Sequence, residues 1–498
     1  MPGPPRSTRR TRHAIREACK RGPVFAVFAD QNGKIRGPVS GHDQGRPASG
    51  HEAGYNHALK CCRRMGALSR LCSCITIGGL MRSISRRGVC AALSLGALSL
   101  AGCQNTANQN EPADNVPTIS DSAETDHAAD EPVEEPEGAS SSEPQDTVER
   151  LLATMTLEQK VAQLFLVTPE QLTGVSKATV AGSKTERALQ EIPVGGLVYF
   201  KQNIVETTQT LDLISGTREL CCAAGAGIAP FLGVDEEGGP LVARVANSGA
   251  FDVEHFPNMA DVGASGDPVH AARVGTSIGS YLHEIGFNLD FAPVADVLTN
   301  PENTAIGKRS FGSDPDLVAQ MVGAEVAAML ETGTLPCVKH FPGHGDTAGD
   351  SHTGAVYAER TRDEIESCEF EPFRAAIDAG CPMVMVGHIE TPNFAADGLP
   401  ASLSRVMMHD VLREELGFDG VIISDSFAMG AITENYEPAD AAVRFFAAGG
   451  DVLLMTPDLH AAHQGVLDAI ATGSLTEERI DDSVRRVLTV KQRAGIIA

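Results

Sequence analysis

Eight short apolar runs frame this 498-residue chain. They span 164–167, 196–200, 230–234, 288–292, 336–340, 383–386, 421–424 and 452–455. Each has strand length and is apolar almost throughout rather than alternating, the pattern of a strand buried on both faces. Between most of them lie stretches with helical periodicity, such as 317–331, 364–379 and 479–494. Buried strands alternating with helices imply a parallel sheet covered on both sides. Eight is the strand count of a (β/α)8 barrel; a doubly wound open sheet also satisfies the pattern.

Ionisable residues cluster where these runs stop. Lys201 follows Phe200. Asp235, Glu236 and Glu237 follow Val234 and lead into Gly238-Gly239. Lys339 and His340 follow Val338, His388 follows Val386-Gly387, and Asp425 follows Ser424. Any one of these could simply begin a solvated loop. Five strands delivering charge to the same end favour the barrel, whose active site is built at the C-terminal ends of its strands.

The densest stretch is Lys339-His340-Phe341-Pro342-Gly343-His344-Gly345-Asp346-Thr347, followed by Asp350-Ser351-His352. Three histidines, two aspartates and a lysine are threaded through glycines, more titratable groups than a plain turn needs. Gly345 and Gly349 predict a loop that moves. His340 and His344 stand four apart, as two metal ligands on a helix would, but Pro342 lies between them and breaks a helix interior. We therefore expect no metal and no cofactor.

In 420–426 a run of small and apolar residues ends in one aspartate. At a strand end Asp425 would project into the barrel mouth, where a carboxylate can attack an anomeric carbon; Asp425 or Ser426 fits a helix N-cap almost as well. A proton donor for the leaving oxygen is also required. His352 titrates near neutral pH, and Asp350, two residues earlier, can hold its other ring nitrogen.

Over 155–495 the chain resembles glycoside hydrolase family 3, in its β-N-acetylglucosaminidase branch. The likeness rests on the Lys339–Gly345 run, on Val194-Gly195-Gly196-Leu197-Val198-Tyr199-Phe200, on Asp235-Glu236-Glu237-Gly238-Gly239 and on Phe291-Ala292-Pro293-Val294-Ala295-Asp296. It extends to Ile306-Gly307-Lys308-Arg309-Ser310-Phe311-Gly312, to Pro400-Ala401-Ser402-Leu403-Ser404, and to Gly417-Phe418-Asp419-Gly420 before the Ser-Asp pair. The resemblance implies a (β/α)8 barrel with Asp425 as nucleophile and His352 as acid/base paired with Asp350. It implies that Asp235, Arg309, Lys339 and His340 bind sugar hydroxyls, and we place His388 with them. The expected substrate is a GlcNAc-terminated glycan or cell-wall fragment. The 239–244 segment is one residue longer than the family pattern, which leaves Arg244 without a role, and Ser426-Phe427 also departs from it. Many family 3 glucosidases carry a second domain with a Glu acid/base; the Asp-x-His form does without one, which argues against a β-glucosidase. A histidine acid/base lacks the carboxylate that would repel an anion, so phosphate could replace water and make a phosphorylase.

Charge divides the chain. Residues 1–80 hold 14 Lys/Arg against 4 Asp/Glu, whereas 104–498 hold 23 against 61. The acidic part carries no footprint for nucleic acid. Residues 81–103 read as an export signal: Arg82, Arg86 and Arg87, an apolar run, then Leu100-Ala101-Gly102-Cys103. That ending resembles a bacterial lipobox and implies cleavage before Cys103 and a lipid anchor to the outer face of the cytoplasmic membrane, or a periplasmic location where there is an outer membrane. Such a signal must be N-terminal, so Met81 is the expected start and 1–80 an artefact or a disordered extension. Residues 104–145 hold eleven Asp/Glu and no Lys/Arg and are expected to be a disordered spacer. The catalytic barrel is expected over 146–498. Its five cysteines, Cys221, Cys222, Cys337, Cys368 and Cys381, are read as small buried hydrophobes.

Overall fold

The computed structural model describes residues 143–349, 351 and 354–498. The N-terminal extension, the signal with Cys103, the acidic spacer up to 142, and Asp350 and His352 lie outside the described residues.

Every expected run forms a strand. In chain order these are β1 (Phe165–Val167), β2 (Gly196–Tyr199), β3 (Phe231–Val234), β4 (Leu289–Asp290), β5 (Leu335–Phe341), β7 (Met383–Val386), β9 (Val421–Ser424) and β10 (Leu453–Leu454). They pair in parallel in the order β10-β1-β2-β3-β4-β5-β7-β9. A parallel bridge between Ile423 and Val452, with Ser424 N donating to Val452 O at 3.0 Å, joins the two ends. The sheet is thus a closed (β/α)8 barrel and not an open doubly wound sheet. The remaining strands, β6 (Val356–Tyr357) and β8 (Ile389–Glu390), form a separate two-stranded ladder.

The strands are buried on both sides, as their composition requires: every residue of β5, β7 and β9 is buried. Aromatic rings fill the layer between strands and helices, with Phe341 stacked on Phe370 at 5.4 Å and edge-on to Phe373 at 5.2 Å. The outer helices begin where short polar side chains take up free backbone N–H groups. Asp267 caps Pro268–Ile285, Asp314 caps Pro315–Leu330 and Thr476 caps Glu477–Arg493. The stretch expected as one helix over 364–379 is two, Arg362–Glu366 and Phe370–Asp378. The break turns Glu369 inward, where it accepts from Arg360 Nη1 at 2.6 Å.

The last helix is pinned to the barrel floor by Lys491. Its buried ammonium donates to Gly195 O at 2.9 Å and Gln163 Oε1 at 3.2 Å, and lies 4.8 Å from the Phe231 ring centre. Burial, with no carboxylate paired to it among the described residues, pushes this lysine down to about 7. Glu325, on Pro315–Leu330, is fully buried against Gly275 of the neighbouring helix, and neither of its carboxylate oxygens has a partner among the described residues. Four of the five cysteines are buried and all five are free thiols, but Cys222 is exposed. Adjacent helical residues point about 100° apart, so Cys221 and Cys222 cannot both face the core.

Candidate active site

A cavity of about 380 Å³ opens at the C-terminal ends of the strands. Asp235, Glu237, Arg244, Arg309, Lys339, His340, His344, Ser351 and Asp425 supply its polar wall. Met385, Met429, Leu454 and Met455 form part of its apolar wall.

The sequence after β3 builds one side. Gly238 and Gly239 adopt positive φ of 76° and 69°, a conformation that suits glycine, and fold 236–243 into a tight hairpin. Glu237 N donates to Val242 O at 2.8 Å and Arg244 N to Asp235 O at 3.2 Å. The three acids then take separate tasks. Glu236 accepts from Val245 N, Ala246 N and Tyr281 Oη and so anchors the hairpin to the helix behind it. Glu237 turns into the cavity and receives Arg309 through Nε and Nη2, both at 2.7 Å. Lys339, at the end of β5, bridges Glu237 and Asp235, each at 2.7 Å. Burial pushes the Glu237 carboxyl up, but Arg309 and Lys339 together outweigh it and hold the group below the usual carboxylate range.

Arg244, unlike Lys339 and Arg309, has no carboxylate partner among the described residues. Its guanidinium lies 5.5 Å from the centre of the Phe200 ring, and its buried Nε has no partner among the described residues.

A second group of side chains fixes the loop after β5. Asp296 holds His340 Nδ1 at 2.7 Å through one carboxylate oxygen. The other oxygen accepts from His344 N at 2.7 Å and His340 N at 3.2 Å. His344 Nδ1 meets Thr347 Oγ1 at 2.7 Å and its Nε2 meets Ser351 Oγ at 3.2 Å. The two histidines are thus held by side chains of their own surroundings, and the described residues contain no group of three His, Cys, Asp or Glu able to hold a metal ion. Gly345 has a reason other than motion: a Cβ there would lie 1.9 Å from Val297 O. The glycine lets two backbones touch.

Asp425 directly follows β9 and lines the same cavity. Its backbone N extends the ladder to Val386 O at 2.9 Å, and its Oδ1 accepts from Ser426 N at 2.7 Å. The next helix, Gly430–Thr433, is preceded by Met429 as its N-cap residue, so Asp425 is not a helix cap. Burial raises the Asp425 carboxyl, but His340 and His388 nearby outweigh it, with help from the Ser426 N–H, and hold the group below its ordinary value. The carboxylate is therefore ionised at neutral pH, and it has no ion-pair partner among the described residues.

Asp235, Arg309, Lys339 and His340 thus meet around one cavity with Asp425. His388 stands apart from them. It is not among the described residues lining the cavity and is almost fully buried, with Nδ1 at 2.7 Å from Ser402 Oγ and Nε2 at 2.9 Å from Ser426 O. Its visible work is to hold the turn that carries Asp425. Glu237 and Asp296, which received no role from the sequence, are the groups that orient the cations and the histidines.

A carboxylate held ionised in a pocket walled by shared donors and acceptors suits attack on a polyhydroxylated ligand. The model of the glycosyl hydrolase family 3 N terminal domain matches residues 156–490. The chain belongs to glycosyl hydrolase family 3. Relatives named β-hexosaminidase are among its matches: it is 33% identical over 324 residues to β-hexosaminidase A of Pseudoalteromonas piscicida, covering 60% of this chain and 53% of that one. It is 31% identical over 347 residues to β-hexosaminidase LpqI of Mycobacterium tuberculosis, covering 68% of this chain and 84% of that one. Among solved structures, the family 3 β-N-acetylglucosaminidase from Paenibacillus sp. str. FPU-7 superposes with a TM-score of 0.63 at 35% identity, over 69% of this chain and 64% of that one. The chain therefore spans about half the length of the Pseudoalteromonas relative and under two thirds of the Paenibacillus one.

Proposed function

We propose that this family 3 barrel is a retaining exo-β-N-acetylglucosaminidase that removes terminal β-GlcNAc from glycans or cell-wall fragments. The observation that carries the proposal is the ionised Asp425 carboxylate, which lines one cavity with Asp235, Arg309, Lys339 and His340. In this scheme the wall exchanges hydrogen bonds with the sugar hydroxyls and sets the anomeric carbon over Asp425. As Asp425 bonds to that carbon, protonated His352 gives its proton to the glycosidic oxygen and the aglycone departs as an alcohol. Neutral His352, oriented by Asp350, then takes a proton from water. The water oxygen bonds to the anomeric carbon, Asp425 leaves as a carboxylate, and two inversions give net retention. The other carboxyls of the wall are Asp235, paired with Lys339, and Glu237, which two cations hold ionised as a poor proton donor; this supports a donor on the 350–352 segment.

We further propose that the signal-like 81–103 segment exports the protein and that Cys103 carries the lipid that keeps it at the outer face of the membrane. Cell-wall fragments are then within reach.

The test is turnover of aryl β-N-acetylglucosaminide and aryl β-glucoside, each with and without phosphate. Preference for the acetamido sugar, with free β-GlcNAc as first product, is expected. Sugar 1-phosphate as main product would replace the hydrolase with a phosphorylase, and preference for the glucoside would overturn the substrate.

A further inference from the structure

A second cavity, of about 650 Å³, opens at the other end of the barrel. It is walled where β5, β7 and β9 begin and by one face of the last helix, Glu477–Arg493. The helix contributes Arg485, Arg486 and Arg493, spaced over about two turns and so on one side of it. Ile377, Pro382 and Phe418 supply apolar surface, and Asp419 is the one carboxylate among the described lining residues.

Charge here runs against the rest of the chain. Residues 104–498 carry 23 Lys/Arg against 61 Asp/Glu, yet at this end arginines outnumber acids. Asp451, fully buried, is shared by three of them: Arg413, Arg486 through Nη1 at 3.1 Å and Arg479 through Nη2 at 3.6 Å. Arg413 also donates to Phe418 O at 2.6 Å and Gly420 O at 2.5 Å, which brings the cluster up to the cavity wall. Arg485 is matched by Glu149 and Asp482. The side chain of Arg493 is exposed and has no partner among the described residues. One carboxylate does not neutralise three guanidinium groups, and an arginine with open donors suits a carboxylate or phosphate.

We infer that this cavity is a binding site for a small amphipathic anion, whose carboxylate or phosphate head meets Arg486 and Arg493 and whose apolar body covers Ile377, Pro382 and Phe418. The volume lies within the range of small-molecule sites, about 300 to 1,000 Å³. Hydrocarbon laid on the apolar part removes both surfaces from water, and the surplus of arginine selects the sign of the head. The site stands apart from Asp425 and does not depend on the reaction proposed above.

The test is calorimetric titration of the full chain with octyl phosphate and octanoate, with octylammonium, 1-octanol and inorganic phosphate as controls and the amphiphiles kept below their micelle concentrations. One site is expected, with a Kd for the two octyl anions at least about tenfold below that of every control. Arg493→Glu should raise that Kd at least about tenfold, and Arg493→Lys, which keeps the charge, by no more than about threefold. Arg218→Glu, the same change at an exposed arginine outside the lining, should leave it unaltered. Turnover of an aryl glycoside should not respond to these variants or compete with octyl phosphate. Equal binding of octylammonium, or a Kd indifferent to Arg493→Glu, would overturn the site and leave its arginines as braces for the start of β9. Competition with the aryl glycoside would overturn it by placing the anion in the catalytic cavity. A dimer in sedimentation that Arg493→Glu dissociates would overturn it by putting a second copy of the chain over the cavity.

Discussion

Arg309 and Glu237 meet as two parallel forks, Nε on Oε2 and Nη2 on Oε1, both at 2.7 Å. Lys339 shares Oε1 from the other side. One carboxylate therefore orients both cations of the proposed sugar-binding wall, and it does so in a buried setting where removing one partner leaves the others uncompensated.

Glu237→Gln should for that reason weaken both folding and binding. The expected loss of stability is about 3 kcal/mol, read by denaturant unfolding. The expected kinetic change is a rise in KM, because Lys339 and Arg309 lose their common anchor. A variant with unchanged midpoint and unchanged KM would show that the cations are placed by their own packing.

Gly345→Ala tests the contact between the β5 loop and the segment behind it. The added carbon would lie 1.9 Å from Val297 O and 2.5 Å from Val297 C, and backbone atoms cannot step aside as a side-chain tip can. Destabilisation of about 2 kcal/mol or more is expected, with reduced kcat because Gly345 follows His344 directly. At Gly349 the clash is with Val356 Cγ1 at 2.9 Å, a movable methyl, so Gly349→Ala should be milder. The reverse ranking in thermal unfolding would contradict this account.

His388→Phe distinguishes a residue that holds the nucleophile from one that holds the sugar. The ring nitrogens meet Ser402 Oγ and Ser426 O, and phenylalanine keeps the ring against Phe427, 5.5 Å away, while removing both bonds. The expected result is a fall in kcat of about tenfold with KM little changed. A rise in KM with kcat intact would restore His388 to the sugar-binding set.

The barrel was legible because buried parallel strands leave unbroken apolar runs. β7 and β9 have the bounds expected from sequence. β4 and β10 are shorter than their runs. The chain beyond β4 reaches Pro293, which has no N–H for a ladder, and beyond β10 Met455 takes a φ of 54°. Strand ends likewise announced Asp235, Lys339, His340 and Asp425. Sequence tells how far along the barrel a residue lies but not which way it faces, and that is where the expectations gave out. In Asp235-Glu236-Glu237 the glycine hairpin decides that the middle acid faces away and the last faces in. His388 follows β7 by two residues, and its ring meets the Asp425 turn at Ser426 O. Asp296, remote in sequence from both histidines it holds, gives no local sign of that work.

Glu325→Gln is predicted to change how stability depends on pH. The buried Glu325 carboxyl is pushed up to about 8, chiefly by loss of water and secondly by the negative Glu237, from an ordinary value of 4.5. Between those two values the native state keeps a proton that the unfolded chain has lost. Its contribution is therefore fully present below pH 4.5 and declines as pH rises through about 8. Glutamine is neutral at every pH and removes this slope. The variant should match wild type near pH 5 and exceed it by a few kcal/mol above pH 8, with the wild-type curve descending between. Denaturant unfolding of both proteins from pH 5 to 8.5 provides the measurement, and parallel curves would mean that Glu325 titrates alike in the folded and unfolded chains.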